Sequence, residues 1–267
     1  MAAAPAFRRP PPPSLRAMSP PTPHLTVVVP MYNEARRLAG PLQRLRDFAA
    51  ASPRPVELLF VDDGSTDGTA ERVEEFLRSQ EALEESSWRL LRGEANRGKG
   101  HAVRRGMLAA RGERILFTDV DLSTPLSDLP KLSGALESSV AVAIGSRALA
   151  QSEILRSQPL YRSLGGKGVN LFVRALAVPG VHDTQCGFKL FTRSAAQEIF
   201  RRARLDGFSF DIEALYLARS LGYRVAEIPV TWSDVPGSKV SPLADGLRLL
   251  GDLVRIRWWG LRGRYRA

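Results

Sequence analysis

Asp119 and Asp121 lie in the run Phe117-Thr-Asp-Val-Asp-Leu-Ser123, and a second acidic cluster, Asp62, Asp63 and Asp67, follows Val61. In each place an apolar run ends abruptly in paired carboxylates. Ile115, Leu116 and Phe117 predict a buried strand, with Asp119 and Asp121 at its carboxyl end. Two residues apart in extended chain, they project from one side. Like charges held that close cost free energy unless something positive lies between them. A divalent cation, Mg2+ or Mn2+, is the expected group, and a diphosphate is its natural second partner. The chemistry that fits is the handling of a nucleotide-activated substrate.

The other polar clusters each carry two readings. Asp62 can accept hydrogen bonds from a base or a ribose, or it can join Asp63 and Asp67 in a turn that caps the next helix. Ligand contact is the expectation for Asp62, and capping for Asp67. Asn96-Arg-Gly-Lys-Gly100 is short and basic and leads into a helix. That suits phosphate approach, or it is only a tight turn. Position 103 is Val, so the spacing of a dinucleotide-binding fingerprint is not met. His101 reads as a surface residue at the helix start. Cys186, the single cysteine, has no His partner in sequence context and reads as structural.

These residues need a frame. Leu25–Val29, closed by Pro30, predicts a first strand, then Val56–Val61, Trp88–Leu91, Arg114–Thr118 and Val140–Ile144. Helical spacing covers Arg36–Ala51, Thr69–Leu77, His101–Ala110 and Leu126–Leu136. Strands alternating with helices predict an α/β fold, a mostly parallel central sheet flanked by helices. Ligands of such sheets bind outside the carboxyl ends of the strands, where Pro30, Asp62, Asp119 and Gly145 fall. Beyond Arg147 the sequence predicts a helix near Tyr161–Ala177, a short segment Thr184–Phe191, and a helix opened by a Ser194/Gln197 capping box. Phe210–Leu221 reads as a further helix, Tyr223–Ile228 as a strand, and Leu243–Trp259 as a last helix. This half is expected to extend the sheet.

Composition bounds the function. With 44% hydrophobic and 25% charged residues the chain is ordinary globular material. A net charge of +10 points to anionic partners. The aromatics do not interleave with basic residues as a stacking platform requires, which sets nucleic acid aside. One cysteine rules out an internal disulfide framework and a Cys-rich zinc site. Residues 1–24 are rich in Pro, Ala and Arg and lack the apolar core of a signal peptide; they read as a disordered tail, and Met18 is a possible start. No apolar run reaches the length of a transmembrane helix. A peripheral protein at the cytoplasmic face of a membrane is the expectation.

The strings Val29-Pro-Met-Tyr-Asn-Glu34, Asp62-Asp-Gly-Ser-Thr-Asp-Gly-Thr69, Asn96-Arg-Gly-Lys-Gly100 and Thr118-Asp-Val-Asp-Leu-Ser123 together resemble glycosyltransferase family 2 and its GT-A nucleotide-diphospho-sugar transferase fold. Ala143-Ile-Gly-Ser-Arg147, Asp183-Thr-Gln-Cys-Gly-Phe-Lys-Leu-Phe191, Phe210-Asp-Ile-Glu213 and Gly237-Ser-Lys-Val240 are similar to strings of the polyprenyl-phosphate sugar synthases, most of all the dolichyl-phosphate β-glucosyltransferases. Eukaryotic members of that group carry an N-terminal membrane anchor, a feature this sequence departs from. The resemblance runs from about Leu25 to Val240. It implies one GT-A domain over residues 25–240, with a donor half to about residue 147 and an acceptor half from about residue 148.

The resemblance implies the following roles. Pro30, Tyr32 and Glu34 line the nucleotide pocket, Asp62 contacts base or ribose, and Lys99 meets the substrate phosphates. Asp119 and Asp121 hold Mg2+ or Mn2+, Asp121 with Arg147 as the catalytic residues. Arg147 follows a flexible Gly145-Ser146 turn, which would let it reach the cleft. Arg147, Arg162, Lys167 and Lys239 stand near the acceptor phosphate. Asp183, Gln185, Asp211 and Glu213 shape the acceptor side, although Asp211 and Glu213 equally suit a helix start. The implied reaction moves glucose from UDP-glucose to a polyprenyl phosphate with inversion. A GDP-mannose enzyme is the nearest alternative. A non-catalytic nucleotide-sugar-binding protein and a nucleotidyltransferase are alternatives of other classes.

Residues 241–267 predict a basic amphipathic helix and tail. Leu247, Leu250, Val254, Trp258 and Leu261 recur at helical spacing, Trp259 adjoins them, and Arg255, Arg257, Arg262, Arg264 and Arg266 crowd the end. That stripe either docks on a membrane surface or packs on the core.

Overall fold

The computed structural model describes residues 22–80, 88–156, 173, 177–235 and 242–266, without the side chains of 242–245 and 247. Its strands are β1 (Leu25–Met31), β2 (Val56–Asp62), β3 (Arg89–Leu91), β4 (Arg114–Thr118), β5 (Val142–Ser146), β6 (Glu153–Arg156), β7 (Phe188–Thr192), β8 (Val225–Pro229) and β9 (Thr231–Ser233). Its α-helices are α1 (Ala39–Ala50), α2 (Thr69–Arg78), α3 (Lys99–Ala109), α4 (Leu129–Glu137), α5 (Arg193–Arg202), α6 (Phe210–Ser220) and α7 (Pro242–Leu261).

The main sheet has seven strands in the order β3-β2-β1-β4-β7-β5-β8, with β6 and β9 paired apart. β3, β2, β1 and β4 are parallel, as are β5 and β8. β7 runs against both its neighbours. Apolar periodicity marks a strand without giving its direction, so this reversal was not legible in the sequence. The second half does extend the sheet, through β7 and β8.

β1 and β2 are buried along their whole length, which explains their mainly apolar sequences; of the buried exceptions, Thr26 and Glu57 hydrogen-bond each other. Alternate residues serve opposite faces. Val28, Val61 and Phe117 pack with α3, α5, α6 and α7, whereas Val27, Val29, Phe60 and Leu116 pack with α1 and α4. Helix α3 lies close on the sheet because position 106 is glycine; a Cβ there would run into Val28 and Val61.

Several local expectations are corrected. β1 continues through Pro30, which pairs with Val61, to Met31; a proline is tolerated this near a strand end. Pro23 and His24 already accept backbone hydrogen bonds from Glu113 and Arg114, so order begins before Leu25. Gly145 and Ser146 are buried strand residues rather than a flexible turn. Asp119 and Asp121 lie past β4 in a turn, not in extended chain. The Leu122 N–H bonds the Asp119 carbonyl at 3.1 Å, and Leu122 has φ 50°. Thr192 caps α5, accepting from the Ala195 N–H. The Ser194/Gln197 box does not form, because the Gln197 amide donates to the Leu108 carbonyl of α3 at 3.1 Å. β6 and β9 were unforeseen; β6 is exposed throughout and carries no alternation.

The expected helix near Tyr161–Ala177 and the Gly237–Val240 string lie largely or wholly outside the described residues, and so do Arg162, Lys167 and Lys239. Among the described residues no helix is long and apolar enough to cross a membrane.

Candidate active site

The carboxyl ends of β1, β2 and β4 open onto a cleft of about 410 Å³. Pro30, Tyr32, Glu34, Lys99, Asp119 and Asp121 all line it, although they come from three separate segments. The structure therefore brings together the residues expected at the donor side, with the exception of Asp62.

Asp119 is fixed from two sides. Its N–H donates to the Gly187 carbonyl at 3.1 Å, and its carboxylate lies against Gly187 so closely that a Cβ there would collide with it. Lys99 Nζ stands 2.6 Å from Asp119 Oδ1. Burial works against the Lys99 ammonium, but Asp119 and Asp211 outweigh it and raise its pKa. Asp121 Oδ1 accepts from the Ser123 N–H at 3.0 Å and its hydroxyl at 2.8 Å.

Arg37, which the sequence did not single out, lines the same cleft. It donates to both Glu34 oxygens, Nη2 to Oε1 at 2.9 Å. The bond to Glu34 raises its pKa against burial, and Asp121 and Asp119 add to the effect. The acidic pair thus faces two cations, Lys99 and Arg37. The i, i+3 spacing of Glu34 and Arg37 was the available signal.

The neighbouring aspartates of β2 divide their work. Asp63 lines the cleft and accepts from the backbone of Arg97 at 3.2 Å and Gly98 at 2.7 Å. Two amides of the Asn96–Gly100 segment are therefore already engaged. Asp62 sits beneath, 1% exposed. Its Oδ2 accepts from the Ser65 N–H at 3.0 Å, while Oδ1 is buried without a hydrogen-bond partner among the described residues. Asp67 accepts from the Thr69 N–H at 3.1 Å and the Ala35 N–H at 3.0 Å, a turn-forming role. His101 is not a surface residue. It is largely buried, 3.7 Å from Asp63, with its pKa lowered by burial and then by Arg97.

The acceptor-side expectations meet a tighter structure. Arg147 makes a two-point contact with Asp183, Nε to Oδ2 at 2.7 Å and Nη2 to Oδ1 at 2.8 Å, and its guanidinium covers Trp232 at 5.4 Å. Burial works against both charges, yet each raises or lowers the other's pKa in favour of the ion pair. Arg147 lies outside the residues lining the 410 Å³ cleft. It follows directly on the buried end of β5 and pairs with Asp183. Gln185 is exposed, its N–H donating to Asp183 Oδ1 at 3.3 Å.

Asp211 is buried and pairs with Lys189 at 2.5 Å; burial pushes its carboxyl up, against Lys189 and Lys99. Glu213 accepts from the backbone of Arg204 and Leu205 and from the Tyr265 hydroxyl at 2.8 Å. It is a structural tie between α6 and the C-terminus, not part of a substrate wall. Cys186 is buried, and burial pushes its thiol up to about 11, which fits a structural residue.

Residues 26–200 match the family model of Glycosyl transferase family 2. The chain is 36% identical over 250 residues to "Dolichyl-phosphate beta-glucosyltransferase" of Dictyostelium discoideum, covering 90% of this chain and 76% of that protein. A mannosyltransferase of Pyrobaculum calidifontis, solved with GDP-Man and Mn2+, superimposes with a TM-score of 0.56 at 22% identity, over 87% of this chain and 64% of that one. Glucosyl-3-phosphoglycerate synthase of Mycobacterium tuberculosis, solved with Mn2+ and UDP-glucose, gives 0.61 at 18% identity, over 88% and 79%. At these identities the two structures speak to the fold, the GT-A arrangement of a mixed, mostly parallel sheet between helices. The chain belongs to glycosyl transferase family 2, as a near relative of the dolichyl-phosphate β-glucosyltransferases.

Proposed function

We propose that this protein moves glucose from UDP-glucose to a polyprenyl phosphate of the dolichyl type, releasing UDP and forming polyprenyl β-phosphoglucose. The observation that carries the reading is the cleft in which Asp119 and Asp121 face Lys99 and Arg37 at the strand ends. Such a site meets a diphosphate with both cations and carboxylates.

In this reading an acceptor phosphate oxygen forms a bond to the anomeric carbon as the bond from that carbon to the UDP oxygen breaks. The leaving electron pair goes to the diphosphate. A lipid monophosphate has a second pKa near 6 and arrives as an oxyanion, so no residue need remove a proton. Asp119 and Asp121 supply hard oxygen donors suited to Mg2+ or Mn2+. Among the described residues no third His, Cys, Asp or Glu joins them. When bound, the ion neutralises charge on the departing diphosphate. Lys99 exchanges Asp119 for the diphosphate, and Arg37 adds a second cation beside it.

Pro30, Tyr32 and Glu34 flank the nucleotide. Asp62, buried outside the cleft lining, holds the turn beside the nucleotide through the Ser65 N–H. Arg147, oriented by Asp183, together with Arg162, Lys167, Lys239 and Gln185, handles the acceptor phosphate. Work at the cytoplasmic face of a membrane agrees with an unpaired Cys186.

The test is to incubate the protein with polyprenyl phosphate, Mn2+ or Mg2+, and either UDP-glucose or GDP-mannose, and to identify the lipid product by mass spectrometry. Hexosyl phosphate lipid from UDP-glucose alone is expected. Product from GDP-mannose alone would move the assignment to the mannosyl reaction.

A further inference from the structure

Helix α7 carries two apolar faces, and among the described residues only one packs on the core. Leu249, Leu253 and Ile256 are buried in the core with Tyr265. On the other side Leu250, Val254, Trp258 and Leu261 recur at intervals of four, four and three, and they are exposed, Val254 at 66% and Leu261 at 81%. A helix that only packs on a core shows one such stripe, with polar residues opposite. The stripe expected from the sequence is therefore the outward one, and the core is met by a second set.

Its surroundings are cationic. Arg255, Arg257, Arg262 and Arg264 are exposed on or beside the face, and the guanidinium groups of Arg262 and Arg264 lie over the Trp258 ring at 5.5 and 4.7 Å. Tryptophan beside arginine suits the headgroup zone, and arginines near anionic lipid strengthen attachment. The helix end is also tied to the cleft edge. Arg204 donates to the Arg264 carbonyl at 2.8 Å, Glu213 accepts from Tyr265, and the loop after Arg204 carries Phe208, 42% exposed at the cleft.

We propose that this outward face of α7 docks on an anionic lipid surface, lying in the headgroup zone without crossing it. Charge complementarity selects that occupant over an uncharged surface. Docking there holds the cleft edge near the bilayer, which deepens the proposed function and rests on it only for the acceptor being a lipid.

The test compares the full chain with its Val254→Glu/Leu261→Glu variant. Both residues project outward, and matching thermal unfolding checks that the variant folds. Vesicles of phosphatidylcholine with and without phosphatidylserine report binding by cosedimentation, light scattering reports the oligomeric state, and a short water-soluble prenyl phosphate reports transfer. Wild type is expected to bind the anionic vesicles, less so as salt rises, with binding by the variant at least about tenfold weaker, a difference of about 1.4 kcal/mol, and transfer to the soluble acceptor equal. Equal vesicle binding by both proteins would overturn the proposal. So would no binding by wild type, and a wild-type dimer that the variant loses would then assign the face to a second copy. Vesicle binding without any transfer would support the docking face and contradict the proposed reaction.

Discussion

Lys99 Nζ and Asp119 Oδ1 stand 2.6 Å apart at the mouth of the cleft, a lysine from the start of α3 against a carboxylate just beyond β4. The same carboxylate is the expected ligand of a divalent ion. In the protein alone, the lysine supplies the positive charge that a pair of acidic residues at a sheet edge requires. In the proposed reaction Lys99 would leave Asp119 for the diphosphate as the donor binds.

Substitution of the acidic pair should separate activity from stability. Asp121→Ala is expected to abolish turnover and Asp119→Asn to lower it roughly 100-fold or more, the scale of removing one transition-state contact. Thermal unfolding of Asp121→Ala should change little, since this carboxylate is partly exposed, whereas Asp119→Asn also gives up the ion pair to Lys99. Wild-type turnover that survives EDTA undiminished would count against metal assistance.

Lys99→Met should weaken donor binding and lower turnover while leaving the cleft formed. The folded pKa of Lys99 is raised above its ordinary 10.5. Its contribution to stability is therefore complete below that value and is lost as pH rises through the folded pKa. Denaturation measured across the alkaline range should show wild type losing stability that the Met variant never had. Parallel curves would contradict the pairing.

Gly187→Ala should lower activity by roughly 100-fold, because a Cβ forces the Asp119 carboxylate aside and a displacement of about 1 Å has that kinetic scale. Metal titration followed by tryptophan fluorescence should show weaker binding. Unchanged activity in a folded variant would mean that Asp119 is free to move without consequence.

Arg147→Ala is expected to lose stability as well as activity, by about 3 kcal/mol, since it leaves Asp183 buried without its partner. The folded pKa of Asp183 is depressed, Arg147 outweighing burial. The pair's stabilisation is thus present above the ordinary carboxylate range and lost as pH falls through the folded pKa. Acid titration of wild type and variant by circular dichroism checks this, and coincident curves would contradict it.

The strands of the donor half were legible because β1, β2 and most of β4 are buried and so appear as mainly apolar runs; Arg114–Thr118 was read to the residue. The six cleft residues from Pro30 to Asp121 were legible through motifs at strand ends. Arg37, Asp63 and Phe208 were not, because their place in the cleft depends on packing between segments distant in sequence. Asp183 as the partner of Arg147 was hidden for the same reason. Periodicity could not show that β7 inserts antiparallel between β4 and β5 and thereby carries Gly187 to Asp119. Of the two faces of α7 only the outward one was read from the sequence; Leu249, Leu253 and Ile256, which meet the core, repeat at the same helical spacing and were not singled out.

The central claim is inverting transfer of glucose to a lipid phosphate. UDP-glucose isotope-labelled at the anomeric carbon, incubated with the protein, Mn2+ and a polyprenyl phosphate, allows the configuration of the product to be read directly by nuclear magnetic resonance. The account predicts a β-linked glucosyl phosphate, formed in step with UDP. An α-linked product, or UDP release with only free glucose, would contradict it.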